Sequence, residues 1–336
     1  MKSKTIPYGL VFLLAMIFLT SSCTKDPVRP NFPLSAEIFY SVDSKQVAFT
    51  ALTHSATSWS WDFGDGNSST EQNPVHIYED GGYYKAVLTA TDGAGNTVTT
   101  ETQLGISITP YVLLTGGATA TNGKTWKLTA AHPPTDKFAN ADLEFSYATG
   151  IKELPQGAFD LYLGIGEIYT DEFTFFYNGD YKHDVKDDNG TFAGLLYASV
   201  LAQAGGTTIL KTTGEVIAGA DIFAITTYSP VNNAKFTFTE NQDFTIPALP
   251  DFASGVDPTY GYPILTYPDV TSIDFPNSSE FIGVMDFMQK VIVLDITENT
   301  MQLAMFMTLD PAAVVSWDPL IPLCTTTLVL TFEVVK

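Results

Sequence analysis

The chain is short of cysteine, histidine and positive charge, and each shortage removes a class of function. Two cysteines in 336 residues cannot build a disulfide framework. The four histidines, His54, His76, His132 and His183, stand at spacings that suggest no Cys/His nucleophile pair. Lysine and arginine total 16 against 37 aspartates and glutamates, a formal net charge of −21. A surface this acidic repels phosphate backbones, so nucleic acid is not a partner. Helical periodicity is scarce as well: outside "GLLYASVLAQAGG" (194–206), which predicts one short helix, apolar residues do not recur at helical spacing.

Long apolar runs are missing too, save one. "YGLVFLLAMIFLT" (Tyr8–Thr20) follows a basic MKSK start and precedes small residues and Cys23. Its 13 residues fall short of the roughly 20 that a spanning helix needs, and the order basic, apolar, small is that of an export signal. "LTSSC" resembles the lipobox of bacterial lipoproteins, which implies that residues 1–22 are removed and that Cys23 carries the lipid. Thr24, in place of an acidic residue, agrees with passage to the outer membrane. Residues 23–32, proline-bearing and polar, read as a tether. With Cys23 acylated, Cys324 has no partner and reads as a small buried apolar side chain.

What is present is β-formers. The composition is 45% hydrophobic, 13% aromatic and 16% charged, enough for a large core. Residues 33–108 alternate in short β-like runs broken by Gly, Asn and Asp turns, the pattern of a small β-sandwich. "SWSWDFGDG" (58–66) raises the first question of chemistry, because Asp62 and Asp65 stand beside three large rings. On a strand, Trp61 and Phe63 share one face and Asp62 the other; at the turn, Asp65 can accept backbone N–H bonds. Both acids have structural work available, with calcium at Asp62 or Asp65 as the alternative.

"WDFGDGNSSTEQNPVHIYEDGGYYKAVLTATD" resembles the PKD domain, an immunoglobulin-like sandwich, through Trp61–Gly66 and then Asn73, Pro74, His76, Tyr78, Gly82, Tyr84 and Val87. Residues 113–336 follow as a second, larger all-β body, expected to be an antiparallel, jelly-roll-like β-sandwich because its strands lack intervening helices. In "GKTW" (123–126) and "YTDEFTFFYNGDY" (169–181) this body looks like the C-terminal domains of PKD-bearing lipoproteins of Bacteroidota. That resemblance implies a surface glycan-binding protein of a polysaccharide-utilisation system. Its partners would be a polysaccharide, the membrane through the lipid, and other outer-membrane glycan-uptake proteins.

Enzymatic and nucleotide readings find little support in the spacing. "TGGATATNGKT" (115–125) lacks a glycine at Ala118, where a phosphate loop needs one, and a β-like run follows it. Laminarinase-like sandwich enzymes carry Glu-x-Asp-x-x-Glu on one strand, and "GEIYTDEF" does not reproduce it: as a strand it would put Glu167 and Asp171 on one face and Glu172 on the other. No catalytic residue is assigned. "YNGDYKHDVKDDNG" gathers Asp184, Asp187 and Asp188 at a turn where calcium could bind, the one ion considered, although no twelve-residue calcium loop is present. For a glycan, rings on stiff loops are the expectation: Tyr260, Tyr262 and Tyr267 in "DPTYGYPILTYPDV", and Trp317 in "SWDPLIP". The expected function is capture of polysaccharide without cleavage, the PKD domain acting as spacer. The alternatives are a secreted glycoside hydrolase or lyase, and an envelope lipoprotein for protein–protein adhesion.

Overall fold

The computed structural model describes residues 32–148, 153–214, 221–249, 263–276, 279–317 and 320–336. The signal, Cys23 and most of the tether lie outside them. The first unit has seven strands: β1 (Ser35–Asp43), β2 (Gln46–His54), β3 (Ala56–Asp62), β4 (Ser68–Ser69), β5 (Val75–Ile77), β6 (Gly82–Asp92) and β7 (Thr97–Ile106). They form one sheet in the order β1-β2-β5 and another in the order β4-β3-β6-β7. Alternation decides which side chains enter the space between the sheets. On β2, Val47, Phe49 and Ala51 are buried while Ala48 and Thr50 face out. From the second sheet, Trp61, Leu88 and Leu104 meet them in one cluster. Trp61 is fully buried, and its indole N–H, which would be costly to leave unpaired, donates to the Glu71 carbonyl at 3.0 Å. At the β6–β7 turn the Asp92 carboxylate accepts from the Ala94 and Asn96 backbone N–H groups, both at 2.9 Å.

A short helix, α1 (Pro110–Thr115), leads into the second unit. Its start has Thr109 accepting from the Val112 N–H and Pro110 in the first turn; its end is Gly116 at φ +84°. Among the described residues two more helices follow, α2 (Ala158–Leu163) and α3 (Leu195–Gln203), the latter inside the helical segment expected from the sequence. The strands are β8 (Lys124–Leu128), β9 (Lys137–Asn140), β10 (Glu172–Phe175), β11 (Tyr181–Asp184), β12 (Gly190–Gly194), β13 (Ile209–Thr212), β14 (Phe223–Thr227), β15 (Thr237–Pro247), β16 (Ile264–Asp274), β17 (Val291–Ile296), β18 (Thr300–Met307), β19 (Val314–Trp317), β20 (Leu320–Pro322) and β21 (Thr326–Val334). The unit is antiparallel β, as expected.

Its main sheet runs β11-β10-β8-β21-β18-β17-β16-β15, with β9 also paired to β21. The two outer strands of that order come together: Tyr181 N–H donates to the Ala234 carbonyl (2.9 Å) and Phe236 N–H to the Gly179 carbonyl (3.1 Å) just ahead of β15. The sheet thus curls back on itself, which leaves few unpaired edge groups. A smaller sheet, β12-β14-β13, sends Phe192, Phe223 and Ile225 into the same core as Trp126, Phe175, Leu303 and Phe332 of the main sheet. The outer face of the main sheet is covered too, by Phe244, Ile246 and Tyr267 packing on Ala304 and Phe306. β18 is therefore apolar on both faces, and its sequence, TMQLAMFM, barely alternates.

Candidate functional site

The acids of the opening stretch are engaged in the turn itself. Asp62 accepts from the Gly64 N–H at 2.9 Å, and Asp65 accepts from the Asn67 N–H at 3.0 Å and contacts His76 Nε2 at 2.7 Å. Burial alone would raise the Asp65 pKa, but the His76 contact and the two Asn67 bonds outweigh it and hold the carboxyl below its usual range. His76 is stacked on Phe63, ring centroids 4.2 Å apart. This is a fastened corner of a sandwich.

Among the candidate metal ligands, Asp184 pairs with Lys182 (3.4 Å) and Lys186 (3.6 Å), and Asp188 accepts from the Gly190 N–H at 2.9 Å. Among the described residues no group of three or more His, Cys, Asp or Glu is placed to hold a metal ion, so the proposed calcium cluster at Asp184, Asp187 and Asp188 does not assemble. The reason is local: Asp184 is spent on two lysines and the Lys186 N–H, and Asp188 on the Gly190 N–H. Tyr267 requires a second correction. It lies on β16 and is 3% exposed, stacked on Phe145 (5.3 Å) with its hydroxyl donating to the Asp142 carbonyl (3.1 Å), so it is core and not a stacking platform. Tyr260 and Tyr262 lie outside the described residues, as does the side chain of Trp317. "GEIYTDEF" is not one strand either: Gly166–Tyr169 form a 3-10 turn and β10 starts at Glu172, so no alternation aims these acids together.

A different place draws chemistry together. A pocket of about 240 Å³ opens between α3 and the end of β14. Tyr197 and Leu201 come from α3, Gly206 and Thr207 from the turn after it, Thr227, Tyr228 and Ser229 from the exit of β14, and Ser279 and Met285 from the segment between β16 and β17. None of these side chains carries a formal charge. Thr207 Oγ1 donates to the Thr227 carbonyl at 2.6 Å, and Thr227 Oγ1 accepts from the Thr208 N–H at 2.9 Å, so the two hydroxyls are held in place. Tyr228 donates to the Ser279 carbonyl at 3.3 Å and lies 5.1 Å from the rings of both His183 and Phe281.

Beneath that tyrosine is a buried acid–imidazole cluster. His183 has Asp171 Oδ2 at 3.5 Å from Nε2 and Glu280 Oε2 at 3.8 Å from Nδ1, and the three side chains are at most 3% exposed. Thr191 donates to Asp171 at 2.9 Å, and the Val231 N–H donates to Glu280. Burial raises the pKa of both carboxyls, opposed at Asp171 by His183 and Thr191 and at Glu280 by the Val231 N–H and His183. None of the three lines the pocket, and the Tyr228 ring, which does, stands 5.1 Å from His183. The accessible chemistry of the pocket is therefore hydrogen bonding and ring contact, without an exposed acid, base or nucleophile among its walls.

Sequence reading missed this site. Tyr197 sits inside the helical run expected from the sequence, and "TTYSP" (226–230), hydroxyl-rich and stopped by proline, is the local signal around Tyr228. Histidine spacing gave no hint, yet the fold sets His76 beside Asp65, His132 beside Asp136 and His183 beside Asp171.

Residues 41–105 match the family described as PKD domain. The chain is 53% identical over 45 residues, 13% of its length, to collagenase ColQ1 of Bacillus cereus strain Q1, and 40% identical over 53 residues to collagenase ColA of the same species. It spans only 5% and 6% of those relatives' own lengths. Among solved structures, the PKD1 domain of Vibrio anguillarum Epp is 30% identical, covering 24% of this chain and 99% of that one at a TM-score of 0.23. A structure titled for promiscuous carbohydrate-binding modules of the β-sandwich superfamily covers 92% of this chain and 94% of that one, at 12% identity and a TM-score of 0.24. With the signature turn, the two facing sheets and the shared core in place, residues 41–105 form a PKD domain.

Proposed function

We propose that this protein is a lipid-anchored outer-membrane protein that binds polysaccharide at the cell surface without cleaving it, with the PKD domain as spacer. The observation that carries the reading is the division of labour around β14. Rings and hydroxyls line the cavity, while Asp171 and Glu280 are shut beneath it at 2% and 0% exposure. A pyranose offers C–H faces that pack on aromatic rings and hydroxyls that hydrogen-bond to neutral partners, and this lining supplies both. Export and anchoring rest on the N-terminal signal and Cys23, and the net charge of −21 argues against nucleic acid.

Affinity electrophoresis against soluble polysaccharides, paired with a reducing-sugar assay, tests the reading. Retardation by at least one glycan without sugar release is expected; retardation by none overturns binding, and release of reducing ends makes the protein a hydrolase. Cys23→Ala is expected to leave the membrane fraction and lose fatty-acid labelling.

One observation favours the protein–protein alternative. The outer face of β1-β2-β5 exposes Phe39 (56%), Leu52 (52%), Val75 (59%) and Ile77 (66%), an apolar stripe suited to contact with another protein surface.

A further inference from the structure

We infer that the pocket between α3 and β14 seats one uncharged sugar ring, a chain terminus or a free monosaccharide, and not an internal stretch of polymer. This rests on the glycan-binding reading and deepens it by naming the part of the glycan that is held.

Size comes first. At about 240 Å³ the pocket is below the roughly 300–1,000 Å³ that drug-sized ligands fill, so it accommodates one small unit. Of its walls, Met285 is 3% exposed whereas Gly206, Ser229 and Ser279 are exposed, so it opens to solvent on the side of those three residues. A ring can enter end-on; a chain cannot pass through.

Charge comes second. A uronate, sulfate or protonated amine entering this lining would lose water and meet no opposite charge, which is costly. A neutral ring exchanges its water for hydroxyls instead.

Preorganisation comes third. Tyr228 is backed by His183 and Phe281, and Tyr197 meets Phe287 edge-on at 4.9 Å and 73°. Phe281 and Met285 share one apolar cluster, with Tyr197, Leu201 and Tyr228 packed against it. Rings already held in place lose little freedom on binding, the feature that makes a small contact area sufficient.

The experiment uses the full chain. Neutral hexoses, pentoses and deoxyhexoses are screened by saturation-transfer NMR with glucuronate as charged comparator, and each hit is titrated calorimetrically and used as competitor in affinity gels. Two variants obstruct the exposed rim from separate segments, Ser229→Trp and Gly206→Trp; neither residue is buried, and Gly206 does not have a positive φ.

A neutral monosaccharide is expected to bind, to release the protein from a retarding polysaccharide, and to lose at least tenfold in affinity in either folded variant, with glucuronate at least tenfold weaker than its neutral parent. If a polysaccharide retards the protein but no monosaccharide binds and a folded obstructed variant is retarded as wild type is, the pocket assignment is wrong and glycan binding stands. If neither polymers nor monosaccharides bind, both fall. A monosaccharide that binds without competing for the polymer makes the pocket a free-sugar site, whereas competition identifies the chain terminus.

Discussion

Asp62, Gly64 and Asp65 carry the geometry of the PKD corner, and glycine at 64 is required twice over. Its φ is +81°, and a Cβ there would stand 2.6 Å from the Lys85 carbonyl oxygen, a backbone atom that cannot swing away. Gly64→Ala is expected to lower the stability of the PKD unit by several kcal/mol, whereas Gly66→Ala, which meets nothing within 4 Å, should cost only its strained φ of +89°. Thermal melts of the two variants check the contrast. A second residue-scale case is Asp286, whose Oδ1 accepts from the Thr308 (3.1 Å) and Phe287 (2.8 Å) N–H groups while Oδ2 has no hydrogen-bond partner. Burial drives its pKa from 3.8 up to about 7. Because the folded pKa is raised, the folded state holds a proton that the unfolded chain has lost between those values. Stability from this group is fully present below about 4 and is lost at about 1.4 kcal/mol per unit as pH rises to about 7. Asp286→Asn should flatten that slope in urea melts taken from pH 4 to 8; an unchanged slope would show that Asp286 is not its source.

At the scale of elements, the double burial of β18 and β16 explains why Tyr267 belongs to the core. β18 sends Met301, Leu303, Met305 and Met307 to one side and Ala304 and Phe306 to the other, and Tyr267 packs on Phe306 at 5.5 Å. Tyr267→Ala is expected to remove about 3–5 kcal/mol of stability, the range for emptying a large aromatic site, without weakening sugar binding by the protein that remains folded. Denaturant midpoints and calorimetric titration separate the two effects, and a variant of normal stability that binds no sugar would restore Tyr267 as a ligand contact. Similar reasoning accounts for the His132 network. His132 contacts Asp136 (2.9 Å) and the Tyr169 hydroxyl (2.7 Å), and Asp136 accepts from Thr331 (2.6 Å) and Gln302 (3.2 Å). Every group has a partner, which ties β18 and β21 to the segments around α2 and leaves no polar atom looking for a ligand.

The whole molecule is joined by glycine. Gly82 of β6 bridges Gly117, where a Cβ would stand 2.6 Å from the Gly82 Cα and φ is +83°. Thr119 donates to the Tyr83 carbonyl (2.7 Å), and the Tyr83 hydroxyl bonds Glu298 (3.1 Å) across the same joint. Gly117→Val should push the units apart while leaving both cores intact. The expected readout is earlier proteolytic cleavage between residues 106 and 124 and separation of one melting transition into two; a single unchanged transition would show that the joint contributes nothing. The PKD unit was legible in the sequence because its alternation and its turn chemistry act over a few residues. The pocket was not, because Tyr197, Tyr228 and Ser279 belong to three separate segments, and the acid–imidazole cluster assembles from β11, the start of β10 and the approach to β17.

Amino-acid order alone determined the β character, the antiparallel class, the corner at Asp62–Gly66 and the segment that became α3, since each depends on period, local steric limits or neighbouring hydrogen bonds. Tertiary structure decided which rings meet water. Pairing of β15 with β16, whose register shifts between Thr239 and Phe244, turned Tyr267 inward, and the meeting of α3 with β14 left Tyr197 and Tyr228 lining a cavity. Whether an aromatic side chain faces core or solvent depends on what strand pairing brings to its other side, and no window of local sequence contains that partner.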